Sequence, residues 1–256
     1  NKAPLKFESS VYDVGSDGVS KAEVSSHNRL TIGDLKWENV ALVTSSIGNV
    51  DAIIGWSAFE GKLIDINYDR NVMTIHESPT TIANGYTKLP LRTYSGSPFV
   101  QATVTIGDTS FTDWFLFDSG FNAAMYISNR LAVAHALAGS SSTGKTFSSS
   151  ANKPIAVQDV AVSRLAIGDM AVNNVAASIN VGGPEDVPHN DILGNALLKD
   201  FNVVLDIEHD AIYLQRRAVP SASSRRQPWL LYGAGAIGAL LLTVVGLLVV
   251  RRKTTT

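Results

Sequence analysis

The chain carries one pattern twice, in the same order. Leu30-Thr-Ile-Gly-Asp-Leu35 returns 135 residues later as Leu165-Ala-Ile-Gly-Asp-Met170, and four positions on in each copy Asn39-Val-Ala41 returns as Asn174-Val-Ala176. Asp51-Ala-Ile-Ile-Gly55 matches Asn190-Asp-Ile-Leu-Gly194, the two glycines standing 139 apart. Leu63-Ile-Asp-Ile-Asn-Tyr-Asp69 then matches Val204-Leu-Asp-Ile-Glu-His-Asp210. Upstream, Lys6-Phe7 set against Thr146-Phe147 implies an offset of about 140. Preserved order with small changes of loop length is the mark of a duplicated domain, joined near Ser78 to Ser97.

Within each copy the residues read as strands. Phe99 to Ile106 and Val203 to Ile207 are β-branched and of strand length. Turn signals recur at Ile32-Gly33-Asp34, Asn84-Gly85, Ile106-Gly107-Asp108 and Ile167-Gly168-Asp169. Two stretches predict short helices: Ser128 to Leu137, which opens on a capping residue, and Ala196 to Asp200. An all-β protein with minor helices is expected.

Charge and hydropathy are unevenly spread. Five of the 21 basic residues and none of the 23 acidic ones lie beyond Pro220, so residues 1–220 carry a net charge of −7. Trp229 to Val250 is an uncharged run of 22 residues followed by Arg251-Arg252-Lys253. As a helix, at about 1.5 Å per residue, it is long enough to cross a bilayer core of roughly 30 Å, with Trp229 and Tyr232 at one interface. The competing reading is a buried helix, but such a helix seldom runs so far without a polar face. Gly233-Ala-Gly235-Ala-Ile-Gly238 matches a dinucleotide-binding fingerprint by its letters only, because no acidic residue follows it to meet a ribose. Its small residues fit a close helix contact better.

The chemistry is concentrated at Asp118. Leu116-Phe-Asp-Ser-Gly120 places an aspartate at the end of an apolar strand, and Ile192-Leu193-Gly194 follows 74 residues after the aspartate, with Ile53-Ile54-Gly55 as its counterpart in the first copy. Asp-Ser-Gly alone would be an ordinary turn. Together with the glycine motifs and the duplication, it resembles the two-lobed retropepsin-like or pepsin-like aspartic proteases. The resemblance covers most of residues 1–217. It implies a water-activating aspartate at Asp118, with Ser119 bonding across to the partner lobe and Gly120 turning the loop and offering its N–H. It further implies that Phe121 and Asn122 lie along the substrate cleft, and that two carboxylates share one proton, so that no covalent intermediate and no cofactor is required.

The first copy holds no matching motif. Asp13-Val14-Gly15 lacks the hydroxyl and lies only 40 residues before Ile53. By the repeat offset, the partner aspartate is expected about 20 positions before Asn1. Tyr12 to Gly18 reads either as the tip of a substrate-covering flap, with Tyr12 and Gly15 as substrate contacts, or as an ordinary hairpin loop; Gly139 to Ser150 is its second-lobe counterpart.

The expected organisation is therefore a partial first lobe over residues 1–78, an inter-lobe connection over 79–97, and a second lobe over 98–217. A linker (218–228), a single transmembrane helix (229–250) and a basic tail (251–256) complete it. The lobes are expected on the extracytoplasmic side, since two basic residues precede the span and three follow it. A polypeptide substrate and the membrane are the implied partners; nothing calls for nucleic acid or a metal, and pairing of two half-sites in a homodimer stays open but is not indicated. Without cysteine there is no thiolate or cysteine–zinc site, the five histidines are scattered, and no Gly-x-Ser-x-Gly elbow or phosphate loop occurs. A peptide-binding module that keeps the fold without catalysis is the alternative.

Overall fold

The computed structural model describes residues 5–15, 18–44, 52–77, 81–137, 139, 142–149, 154–182, 189–218 and 247–250. The first copy contains β1 (Ser9–Gly15), β2 (Gly18–Ile32), β3 (Leu35–Thr44), β4 (Ala52–Ile54), a 3-10 turn at Trp56–Phe59, β5 (Leu63–Asn67) and β6 (Val72–His76). β7 (Thr87–Tyr94) lies in the connection and leads to β8 (Ser97–Ile106), β9 (Thr109–Asp118), β10 (Met125–Ile127) and α1 (Asn129–Ala134). Then come β11 (Ser142–Ser149), β12 (Pro154–Ile167), β13 (Met170–Asn180), β14 (Ile192–Gly194), α2 (Asn195–Leu198), β15 (Phe201–Asp206), β16 (Ala211–Arg216) and β17 (Leu247–Val250). Both expected helices form, and Ser128 caps α1 by accepting from the Leu131 N–H at 3.4 Å.

The duplication is written into the backbone. Gly33, Gly107 and Gly168 turn the three Ile-Gly-Asp hairpins with φ of +58°, +57° and +57°, a region glycine enters without steric cost. Asn39 and Asn174 share φ of +58° and +56°, and Asn71 and Asp210 share +52° and +48°. Short polar side chains tolerate this conformation best.

Two sequence alignments need correcting. Tyr12 pairs with Lys21 as Phe147 pairs with Ala156, so the counterpart of Phe147 is Tyr12, at the offset of 135, rather than Phe7. The β5–β6 turn closes on Asn67 and Val72 and the β15–β16 turn on Asp206 and Ala211, so Leu63 corresponds to Asn202 and not to Val204. A slip of two residues keeps every side chain on its own face, so the period-2 hydrophobic pattern could not reveal it.

A 12-stranded sheet runs β11-β12-β13-β10-β14-β9-β8-β7-β16-β15-β5-β6, so β5 and β6 of the first copy extend the sheet of the second. The main core fills the second copy, with Phe115, Phe117, Met125, Ile127, Leu193 and Phe201 essentially inaccessible. A smaller cluster of Phe99, Leu116, Phe121, Tyr126, Val157 and Ile192 lies apart from it.

A five-stranded sheet holds β1-β2-β3-β17-β4. Here the expected helix over 229–250 meets the structure only at its last four residues, which are extended; 229–246, the tail 251–256 and most of the linker lie outside the described residues. Among the described residues no helix is long and apolar enough to cross a membrane. Leu248 and Val249 face Ile54 and Ile53 of β4, and Leu42 and Val43 of β3. Met125 and Tyr126 of β10 occupy the equivalent register, facing Leu193 and Ile192 of β14 and Ala177 and Ser178 of β13. The place β10 fills in the second copy is thus filled by β17 in the first.

Candidate active site

The end of β9 is buried on both faces: Phe115 and Phe117 enter the main core, while Leu116 lies in the smaller cluster with Trp114 packed against it. This is why its end reads as a continuous apolar run. The strand stops at Asp118, which lies opposite Gly194 in the parallel pairing with β14. The loop after it folds back on the carboxylate. The Gly120 N–H donates to Asp118 Oδ1 at 2.8 Å and the Phe121 N–H to the same oxygen at 3.2 Å. Oδ2 takes no hydrogen bond among the described residues. Burial pushes the Asp118 carboxyl up to about 6, although those two N–H groups pull the other way.

The loop is seated on the glycine motif. The Gly194 N–H donates to Ala124 O at 2.9 Å, the Asn195 N–H to Phe121 O at 2.7 Å, and the Ala196 N–H to Ala123 O at 3.3 Å. A methyl group at Gly194 would lie 2.3 Å from Ala123 O and 2.4 Å from Phe121 Cδ1, so the backbones touch because no side chain stands between them.

The structure treats the expected site residues differently. Asp118 ends β9, and Gly120 offers it the backbone N–H. The Ser119 hydroxyl makes no hydrogen bond among the described residues. Phe121 does not line a cleft: it is 2 % exposed and packs into the smaller cluster, leaving Asn122 as the exposed member of the pair. Tyr12 is 73 % exposed on β1, and Gly15 ends that strand opposite Gly18. The tip between them, Ser16 and Asp17, lies outside the described residues, as does most of the turn region of the counterpart hairpin β11–β12.

Sequence reasoning missed the residues that hold the site. Asp191, beside the glycine motif, is fully buried; its Oδ1 accepts the Ser128 N–H at 2.7 Å and its Oδ2 accepts from Arg130 Nη2 at 3.0 Å. The same nitrogen reaches Asp113 Oδ2 at 3.0 Å. The available signal was a lone arginine just before the apolar run Leu131–Ala134 and a lone aspartate just before Ile192-Leu193, where a charge carried into a core needs a partner. Burial pushes the Asp191 carboxyl up to about 6 against the Ser128 N–H and the Arg130 charge. Arg130→Met is expected to cost about 2–4 kcal/mol, because it leaves a buried carboxylate unpaired. Only the ionised form suffers, so urea unfolding should show a larger loss at pH 8 than at pH 5.

Two further contacts come from the first copy. Trp56 Nε1 donates to Phe117 O at 3.2 Å, and the Tyr68 hydroxyl donates to Asn195 Oδ1 at 2.8 Å. Among the described residues no group of three or more His, Asp or Glu side chains is placed to hold a metal ion.

The strand-borne aspartate, its N–H-lined loop and the bracing glycine motif are the arrangement that the aspartic-protease resemblance implied. Residues 102–197 match the family model described as Aspartyl protease, and no curated protein matches the chain. The aspartic proteinase of Irpex lacteus superposes with a TM-score of 0.50 at 12 % identity, covering 88 % of this chain and 87 % of its own. A retropepsin-like aspartic protease from Rickettsia conorii matches with a TM-score of 0.37 and 18 % identity, over 52 % of this chain and 100 % of its own. Residues 102–197 are thus similar to the aspartyl protease family, and the chain shares the fold of an aspartic proteinase.

Proposed function

We propose that the chain is a membrane-tethered aspartic endopeptidase whose water-activating carboxylate is Asp118. The observation that carries this is the division of labour between its oxygens: Oδ1 is held by two backbone N–H groups, while Oδ2 is left for a water molecule. Paired with a second carboxylate, the two groups share one proton. The ionised one takes a proton from water as its oxygen attacks the peptide carbon, and the protonated one gives its proton to the carbonyl oxygen. On collapse of the tetrahedral species, the carboxyl that took the proton from water gives it to the departing amine, and the hydroxyl proton returns to the other carboxylate. The substrate is an extended polypeptide passing Asn122 beneath the β1–β2 hairpin, with Tyr12 and Gly15 as contacts.

One observation favours a second reading. Among the described residues no other carboxylate interacts with Asp118, the arrangement expected of a peptide-binding module without catalysis. The full-length protein decides between them when incubated with a peptide library between pH 4 and pH 7. Hydrolysis blocked by a statine-type inhibitor and lost in Asp118→Ala supports the peptidase. Peptide binding without cleavage supports the module, and cleavage indifferent to both treatments removes the role given to Asp118.

The tether rests on the 22-residue uncharged run and the three basic residues after it, with the lobes on the extracytoplasmic side. Leu247–Val250 cannot lie in β17 and in a bilayer at once. Alkaline extraction of membranes therefore tests the tether: retention of the full chain and release of a chain ending at Arg217 are expected, and release of both excludes it.

A further inference from the structure

We infer that Trp56 and Tyr68, both from the first copy, are positioning residues that clamp the Asp118 loop from the opposite lobe. The loop has two ends, and each copy-one residue secures one of them. At its entry, the indole N–H of Trp56 donates to the carbonyl of Phe117, the residue before the aspartate, and its ring leans on the buried Phe117 ring at 5.8 Å and 57°. At its exit, the Tyr68 hydroxyl fixes the side chain of Asn195, whose own N–H holds Phe121 O.

Neither residue is loosely placed. Trp56 opens the 3-10 turn that follows Gly55, and that turn is pinned by Trp37 Nε1 donating to Ala58 O at 2.6 Å and by the edge-on contact of Trp37 with Phe59. The Tyr68 N–H donates to Asn202 Oδ1 at 2.9 Å. Asn202 donates in turn to Asp69 Oδ2, and Arg217 to Asp69 Oδ1, both at 2.7 Å. Burial pushes the Tyr68 phenol up, so it remains a neutral donor wherever an aspartate could work. Trp56 and Asn195 each follow the glycine of their own motif, Gly55 and Gly194. The duplication has therefore put equivalent positions to one use, on the two ends of a single loop.

The inference rests on the peptidase reading only for its kinetic test. In the full-length protein, Trp56→Phe keeps a ring and loses the N–H, and Tyr68→Phe loses only the hydroxyl. Each is expected to lower kcat about three- to tenfold with KM within about twofold, as the loss of one hydrogen bond would. Amide hydrogen exchange supplies a readout that needs no activity. It should quicken at least about threefold at Gly120 and Phe121 in both variants and at Asn195 in Tyr68→Phe. The β12–β13 amides should be unchanged. Unchanged exchange in the loop, or an equal rise throughout the protein, overturns the clamp. Local quickening in a protein that cleaves nothing keeps the clamp and removes the peptidase.

Discussion

Asp118→Asn is expected to abolish peptide hydrolysis and to make the protein more stable at neutral pH. The catalytic loss follows from removing a group that must both take and give a proton, a role worth about 10²–10⁴-fold. The stability gain follows from burial. The folded protein lifts the Asp118 carboxyl from the ordinary 3.8 to about 6, so the native state binds that proton more tightly than the unfolded chain does. The stabilisation is fully present below about pH 4 and lost as the pH rises through about 6; above that, the ionised carboxylate opposes folding. A shift of about two units sets a ceiling of roughly 3 kcal/mol, and partial access to water lowers it to about 1–2 kcal/mol.

Asparagine carries no charge and still offers an oxygen to the Gly120 and Phe121 N–H groups. Thermal melts should therefore place Asp118→Asn roughly 2–8 °C above the parent at pH 7.5, with the gap closing near pH 4.5. Asp191 shifts in the same direction but is present in both proteins, so it cancels in the comparison. A variant less stable than the parent at pH 7.5 would mean that the carboxylate is not desolvated. The expected trade of stability for activity is what a strained functional group should show.

What the amino-acid order alone discloses is whatever local chemistry decides. An Ile-Gly-Asp turn needs a left-handed glycine, and Gly33, Gly107 and Gly168 all supply one. An apolar strand ending in Asp-Ser-Gly needs an N–H-lined loop, and Gly120 supplies the nearer N–H. Long-range geometry was hidden for definable reasons. The pattern of β5 and β15 is unchanged by a slip of two residues, so composition matched Leu63 to the wrong partner. Phe121 follows the Asp-Ser-Gly motif, yet a large ring beside an apolar cluster is drawn inside. Arg130 pairs with residues 17 and 61 positions away, and Trp56 meets Phe117 across 61 residues. No periodicity links such positions. Finally, an uncharged run fits a bilayer by its length, but any four apolar β-branched or leucine residues of it also fit an open place in a sheet, as Leu247–Val250 do.

Gly194→Ala should do the greatest structural damage of any single methyl group near the site. The reason is contact, not conformation. Gly194 has an ordinary φ of −106°, so alanine could adopt its backbone. Its Cβ, however, would sit 2.3 Å from Ala123 O, 2.4 Å from Phe121 Cδ1 and 2.7 Å from Phe121 O. Two of these are backbone oxygens, and the N–H groups of Gly194, Asn195 and Ala196 hold the same segment from the other side. The loop can make room only by giving up those three bonds and lifting Phe121 out of its cluster. A cost of about 3 kcal/mol or more is expected, with the urea midpoint lowered and the slope unchanged. Activity should fall further than stability does, because a shift of about 1 Å in a reacting group costs on the order of 10²-fold. Gly33→Ala is the internal control. It also replaces a glycine of the repeat, with φ of +58° but nothing within 4 Å of the added carbon, so only the left-handed backbone is penalised, by about 1–2 kcal/mol. If Gly194→Ala proves no worse than Gly33→Ala, the Asp118 loop is not seated on β14, and the bracing role of the glycine motif fails with it.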